Sequence, residues 1–224
     1  MKKLITLLMV AVLTLSFSAC GMLADVANDV EVAPSGGSET PAIEKTFSLG
    51  TVEGSIYTNE FAGIRFTAPA GWTYADEAKI KEMNQATAEM AGEDYEELMK
   101  EAQVIYDMFV AEDATMNNVN INFEKVDAAQ LAALDIASNY ETLFSTIESS
   151  FENMGFTGVG YEIKKATVAG RTLDAMYITA DFENIKMHQC SFSIKCNGYL
   201  ASVSVTSDSE AGLNNILSYF SWVD

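Results

Sequence analysis

Apolar and polar positions change period several times along this chain, and each change marks an element. Ser55 to Thr58 and Ile64 to Ala68 alternate with a period of two about Asn59-Glu60-Phe61-Ala62-Gly63, which predicts a hairpin stopped by Pro69-Ala70-Gly71. Asp76 opens a helix with Ile80, Met83 and Met90 on one side. A second helix follows Asp94, where Tyr95, Leu98, Met99 and Ala102 recur at helical spacing. Alternation then returns in two strands, Val104 to Ala111 and Asn118 to Lys125.

The clearest amphipathic stripe comes next. Ile136, Tyr140, Leu143, Phe144, Ile147, Phe151 and Met154 fall three and four apart, with Gly155 placed as a C-terminal cap. Four strand-like runs follow: Gly160 to Val168, Thr172 to Phe182, Met187 to Cys196 and Tyr199 to Thr206. Asn197-Gly198 between the last two is a strong hairpin turn signal. Ser207-Asp208-Ser209-Glu210 reads as a capping box for a final helix carrying Leu213, Ile216, Leu217 and Phe220. The order predicts an α+β domain, a mainly antiparallel sheet flanked by helices.

Two segments fall outside that pattern. The first couples Lys2-Lys3 to a twelve-residue apolar run, Leu4 to Leu15, and ends in Ser16-Phe17-Ser18-Ala19-Cys20. Twelve apolar residues are too few for the roughly 20 a spanning helix needs, so this reads as a secretion leader. The small residues before Cys20 resemble a bacterial lipoprotein signal, with Phe17 standing where that family usually has Leu. The resemblance implies a signal peptide over 1–19 and a lipid on Cys20, which would hold the protein on the extracytoplasmic face of the bacterial cell membrane. The second segment, the lipidated N-terminus and tether over 20–46, holds two of the three prolines and no aromatic residue. A linker of that length spans roughly 25–30 Å. The globular domain is assigned to 47–224.

Charge narrows the partners. The full chain of 224 residues carries a net charge of −19, and loss of Lys2 and Lys3 with the leader leaves −21. Nucleic acid is excluded, because its affinity comes from Lys and Arg neutralising phosphate. Anionic lipid headgroups are repelled as well, so membrane contact is left to Cys20. The excess acid reads as a solubilising surface.

Candidate chemistry is sparse. The strand Met187 to Cys196 places His188, Cys190 and Cys196 in one phase, but Phe192 and Ile194 share it, which reads as core. Six residues of one strand separate the two thiols by roughly 20 Å, so both are expected free and buried. There is no Gly-x-Ser-x-Gly, no phosphate loop and no His-Glu-x-x-His. No cofactor, no metal site and no catalytic set is expected; the alternative is an envelope hydrolase using surface carboxylates. Asn118, Asn120 and Asn122 alternate with Val119, Ile121 and Phe123, giving one strand face a row of amides that could receive a glycan or a peptide. The domain's eight methionines sit mostly at core positions.

The segment Phe61-Ala62-Gly63-Ile64-Arg65-Phe66-Thr67-Ala68-Pro69-Ala70-Gly71-Trp72, with the later Asn-Gly hairpin and terminal helix, resembles the PsbP-like group. That group includes PsbP, Mog-type Ran-binding factors and DcrB-like lipoproteins. The resemblance implies an α/β/α sandwich over most of 50–224 and carries no catalytic residues. These readings together predict a non-catalytic binding or assembly module at the cell envelope, whose partner is an envelope protein or glycan.

Replacing Cys20 with Ala is expected to move the protein out of the membrane fraction. Retention of the Cys20→Ala protein after a carbonate wash would refute lipid anchoring.

Overall fold

The computed structural model describes residues 46–91 and 104–223. The leader, Cys20, nearly all of the tether and the helix expected after Asp94 lie outside them. The order is β1 (Thr51–Glu53), β2 (Ile56–Asn59), β3 (Ile64–Thr67), β4 (Trp72–Tyr74), α1 (Glu77–Ala91), β5 (Val104–Glu112), β6 (Asn118–Lys125), α2 (Ala128–Ala133) and α3 (Ile136–Asn153). It continues with β7 (Thr157–Val168), β8 (Arg171–Phe182), β9 (Ile185–Cys196), β10 (Tyr199–Ser207), α4 (Glu210–Leu217) and β11 (Phe220–Trp222). The α+β architecture with a mainly antiparallel sheet flanked by helices is what the structure shows.

Seven strands form the main sheet in the order β4-β5-β6-β10-β9-β8-β7, and four form a smaller one, β1-β2-β3-β11. All nine pairings among the described residues are antiparallel, and in six of them a short connection links the two strands. The small sheet and α4 pack on one face of the large sheet. Between them lie Tyr57, Ile64 and Phe66 from below and Val119, Ile121, Phe123, Phe192 and Val203 from above, all at most 1% exposed. Burying a side chain of that size stabilises by about 2 kcal/mol each. The opposite face carries α1 over β5, α2 over β10, and α3 over β7 and β8. The α3 stripe sits as its period demands, with Tyr140, Ile147 and Phe151 buried and Gly155 turning the chain at φ +90°.

Three elements differ from expectation. The N-cap of α4 is Ser209, whose Oγ accepts from the Gly212 N–H at 3.2 Å; Ser207 is the last residue of β10. The helix ends at Leu217, and Phe220 starts β11 instead of completing the helical face. There Phe220 pairs with Phe66, and its ring packs 4.9 Å from that of Phe66, so pairing with β3 overrides helical periodicity. Neither Cys190 nor Cys196 is in a disulfide, but only Cys190 is buried; Cys196 is half-exposed at the last position of β9.

A bulge joins the two sheets. The register of β5 slips between Tyr106 and Met108, leaving Asp107 as the extra residue. Its carboxylate accepts from the Gly50 N–H at 2.9 and 3.0 Å, from Tyr57 Oη at 2.5 Å and from Asn59 Nδ2 at 2.8 Å. Gly50 is required here because a Cβ would run into the Tyr57 ring. On the other face of β5, Asn84 of α1 donates to the Tyr106 carbonyl at 3.2 Å and accepts from its N–H at 2.7 Å.

Asp107→Ala leaves the Gly50 N–H and the Tyr57 hydroxyl without an acceptor and the Asn59 amide with only the Ser48 carbonyl, at about 1–3 kcal/mol for each unmet donor before relaxation. Urea unfolding is expected to show a loss of about 3 kcal/mol with an unchanged slope. A loss within about 0.5 kcal/mol, the range of an ordinary surface substitution, would show that the carboxylate does not hold the sheets together.

Candidate functional site

Asn118, Asn120 and Asn122 lie side by side on the helix-facing side of β6, as alternation places them, while Val119, Ile121 and Phe123 enter the core below. All three amides are buried, at 1%, 0% and 3% exposure. They belong to a broader polar lattice. Registers across the sheet align Tyr106, Asn122, Ser202 and Ser193 in one row, then Phe109, Asn120, Ser204 and Ser191, then Ala111, Asn118, Thr206 and Gln189. Glu124 continues the amide series, also buried, opposite Leu200. The lattice occupies the central strands, with α1 over β5 on one side, α3 over β7 and β8 on the other and α2 over β10.

Part of this lattice satisfies itself. Gln189 Nε2 donates to Ser191 Oγ at 3.0 Å, Ser191 and Ser204 hydroxyls meet at 3.0 Å, and Tyr140 of α3 meets Ser193 at 2.9 Å. Asn118 Nδ2 donates to the Met116 carbonyl at 2.8 Å, and Asn120 Nδ2 reaches the Ser204 carbonyl at 3.4 Å. The rest does not. Tyr106 Oη, Asn120 Oδ1, Asn122 Oδ1, Glu124 Oε2 and Ser202 Oγ are all buried without a hydrogen-bond partner among the described residues. Exchanging an amide's oxygen and nitrogen would move the unmet need from an acceptor to a donor, not remove it.

Magnitudes make these five atoms informative. A buried polar atom left unsatisfied costs about 1–3 kcal/mol, so five dry ones together would rival the 5–15 kcal/mol that holds a typical domain folded. In a stable domain such atoms are met by ordered water or by a ligand. Glu124 has the same requirement in electrostatic form. Burial pushes its carboxyl up to about 7, and no ion pair among the described residues includes it.

The other face holds a shallower feature. A cleft of about 350 Å³ beside α4 is lined by His188, Tyr177, Glu162, Lys164, Thr179 and Glu210. His188 and Cys190 do share its side of β9, about 7 Å apart by strand spacing. Burial pushes the Cys190 thiol up to about 12, with Tyr177 hydrogen-bonded to it, so it carries almost none of the thiolate a nucleophile or metal ligand needs. No group of three or more His, Cys, Asp or Glu side chains fit to hold a metal ion occurs among the described residues. The two carboxylates that burial raises most clearly, Asp107 and Glu124, sit on opposite faces of the large sheet and do not converge.

Sequence reading found the three amides and missed Glu124, Ser202, Ser204 and Thr206. The signal for all four was present, since Glu124 is in phase with the amides and Ser202-x-Ser204-x-Thr206 repeats the same period. Tyr106 had no such signal, because the bulge at Asp107 sets its phase.

No family model and no curated protein sequence matches this chain. Among solved structures, a Pseudomonas aeruginosa protein of unknown function is similar over 47% of this chain and 67% of its own, at 8% identity and a TM-score of 0.26.

Glu124 has a definite pH signature. Burial raises its pKa from an ordinary value of 4.5 to about 7, so the native state retains a proton that the unfolded chain has lost between those values. Stability from this group is complete below pH 4.5 and is lost as pH rises through 7, by about 3 kcal/mol. Glu124→Gln is therefore expected to gain on the parent protein between pH 5 and pH 8 in urea unfolding. Parallel stability profiles for the two proteins would contradict this.

Proposed function

We propose that this chain is a non-catalytic binding module of the bacterial cell envelope, tethered by lipid on Cys20 and taking its ligand at the polar face around Asn120, Asn122 and Glu124. The single observation that carries the binding reading is the set of five buried polar atoms without partners. Their composition defines the ligand's chemistry: two amide oxygens and a carboxylate oxygen accept, and two hydroxyls can do either. A molecule rich in N–H and O–H donors, such as a glycan or an extended peptide, meets that demand. Chemistry on the ligand is not part of the reading, because no second carboxylate among the described residues lies beside Glu124 and burial holds the Cys190 thiol protonated. The lipoprotein-like leader and the 20–46 tether support a place outside the cytoplasmic membrane. The PsbP-like resemblance of the Phe61–Trp72 segment supports a common ancestry for the fold and adds no ligand.

Asn122→Leu separates binding from folding. The substitution removes a buried amide that lacks a partner, so the ligand-free protein is expected to hold or gain stability. In the parent protein, a chitin disaccharide or a short peptide at saturating concentration should raise the melting temperature by mass action. That rise should vanish in Asn122→Leu. If neither probe shifts the parent protein and Asn122→Leu destabilises it, the amides are structural and the proposal fails.

A further inference from the structure

Strand β7 is the longest unpaired edge in the described structure. It runs twelve residues, Thr157–Val168, and pairs with β8 on one side and with no other described strand on its outer side. An edge of that length presents a row of free N–H and C=O groups that a second strand can meet. What the strand carries indicates which second strand. Glu162 and Lys164 share the face toward the small sheet, 65% and 42% exposed and 2.7 Å apart. Tyr161, Ile163 and Lys165 share the helix-facing side. Lys165 is 63% exposed and bridges to Asp174 at 2.6 Å. The Tyr161 ring stacks on Phe144 at 3.8 Å yet remains 43% exposed, so one side of it is covered and the other is not.

We propose that β7 pairs antiparallel with the β7 of a second copy of this chain, the two-fold axis passing through Ile163, so that two seven-stranded sheets become one. The register follows from the side chains. Opposed residues in an antiparallel pair share a face, so only registers that bring a residue opposite itself are allowed. Centred on Ile163, Glu162 faces Lys164 of the partner and Lys164 faces Glu162, with Cβ atoms about 5 Å apart. Along each strand and across the seam, every one of these four charges then has only opposite charges beside it. On the other side of the sheet Ile163 meets Ile163, and the Lys165 stem and ammonium lie over the free side of the partner's Tyr161. Neighbouring registers lose all of this. Centring on Glu162 or on Lys164 opposes like charges directly.

The chain's net charge of −19 opposes association, but at physiological ionic strength charges further apart than about 8 Å are largely screened. The seam lies inside that distance and the bulk of the acid outside it. The arrangement buries no polar atom that the partner strand does not satisfy. It is independent of the polar face over β10 and β6, which lie three and four strands away at the sheet's centre.

The full-length protein, extracted in detergent, supplies the test in a Cys196→Ser background that removes the half-exposed thiol. Ile163→Cys is expected to give a disulfide-linked dimer on mild oxidation, because residue 163 faces itself. Lys164→Cys, one position along, is expected to give none. Separately, Lys164→Glu should weaken self-association about tenfold by setting four acids together, and Glu162→Lys combined with Lys164→Glu should restore it. Glu162 and Lys164 are exposed and Ile163 is only partly buried, so circular dichroism should be unchanged throughout. Equal cross-linking at 163 and 164, cross-linking of 163 to a protein of different mass, a monomer at all concentrations, or a charge exchange that fails to restore the dimer would each overturn the proposal.

Discussion

The Asp107 carboxylate is the point on which the two-sheet arrangement turns. The bulge in β5 leaves Asp107 out of the ladder, and from there it gathers an N–H from Gly50, a hydroxyl from Tyr57 and an amide from Asn59. Burial raises its pKa even against three donors that act to lower it. The small sheet is only three or four residues deep at each strand, too little to stand alone in water. Held against the large sheet, it fills the apolar interior with Tyr57, Ile64 and Phe66. The bulge has a second effect on the other face, where it exposes the Tyr106 peptide groups for Asn84 to bind and so seats α1. One inserted residue thus fixes both layers that contact β5.

Elements whose identity rests on their own residues were legible in sequence. The α3 stripe, the Asn197-Gly198 turn with Gly198 at φ +70°, and the strands from β7 to β10 follow from local period and turn chemistry. Elements defined by a distant partner were not. β1 and β11 have three residues each, and β11 exists as a strand because β3 is there to receive Phe220 and Trp222. α2 is six residues long, begun by Asp127 accepting from Ala129 and Gln130, and too short to show a period. Phe47, where the sequence reading begins the domain, has its ring 4.2 Å from Tyr199 and against Phe61 and Phe123, so it packs on the core.

The polar face illustrates how far a strand pattern goes. Alternation alone placed Asn118, Asn120 and Asn122 on one side, and the structure keeps them there. Alternation has no means of saying whether that side meets solvent or the underside of other elements, because burial depends on the layers above. Buried amides, hydroxyls and a carboxylate with several atoms unmet behave differently from the same residues in water. They are oriented by the sheet before any ligand arrives, so little side-chain freedom is left to lose on binding.

The pairing of β11 with β3 joins the two ends of the domain in one small sheet, with the whole of the large sheet between them in sequence. The ring of Phe66 has its neighbour Phe220 only when that late strand is in place, and the Trp222 indole donates to the Val168 carbonyl at 3.0 Å only then. A ribosome or a translocation pore that has delivered the earlier strands therefore holds a chain whose interior is still open on one side. Closure over so long a separation is slow compared with local helix formation. Under the export proposed above, that delay would keep the chain in a form the export machinery can carry.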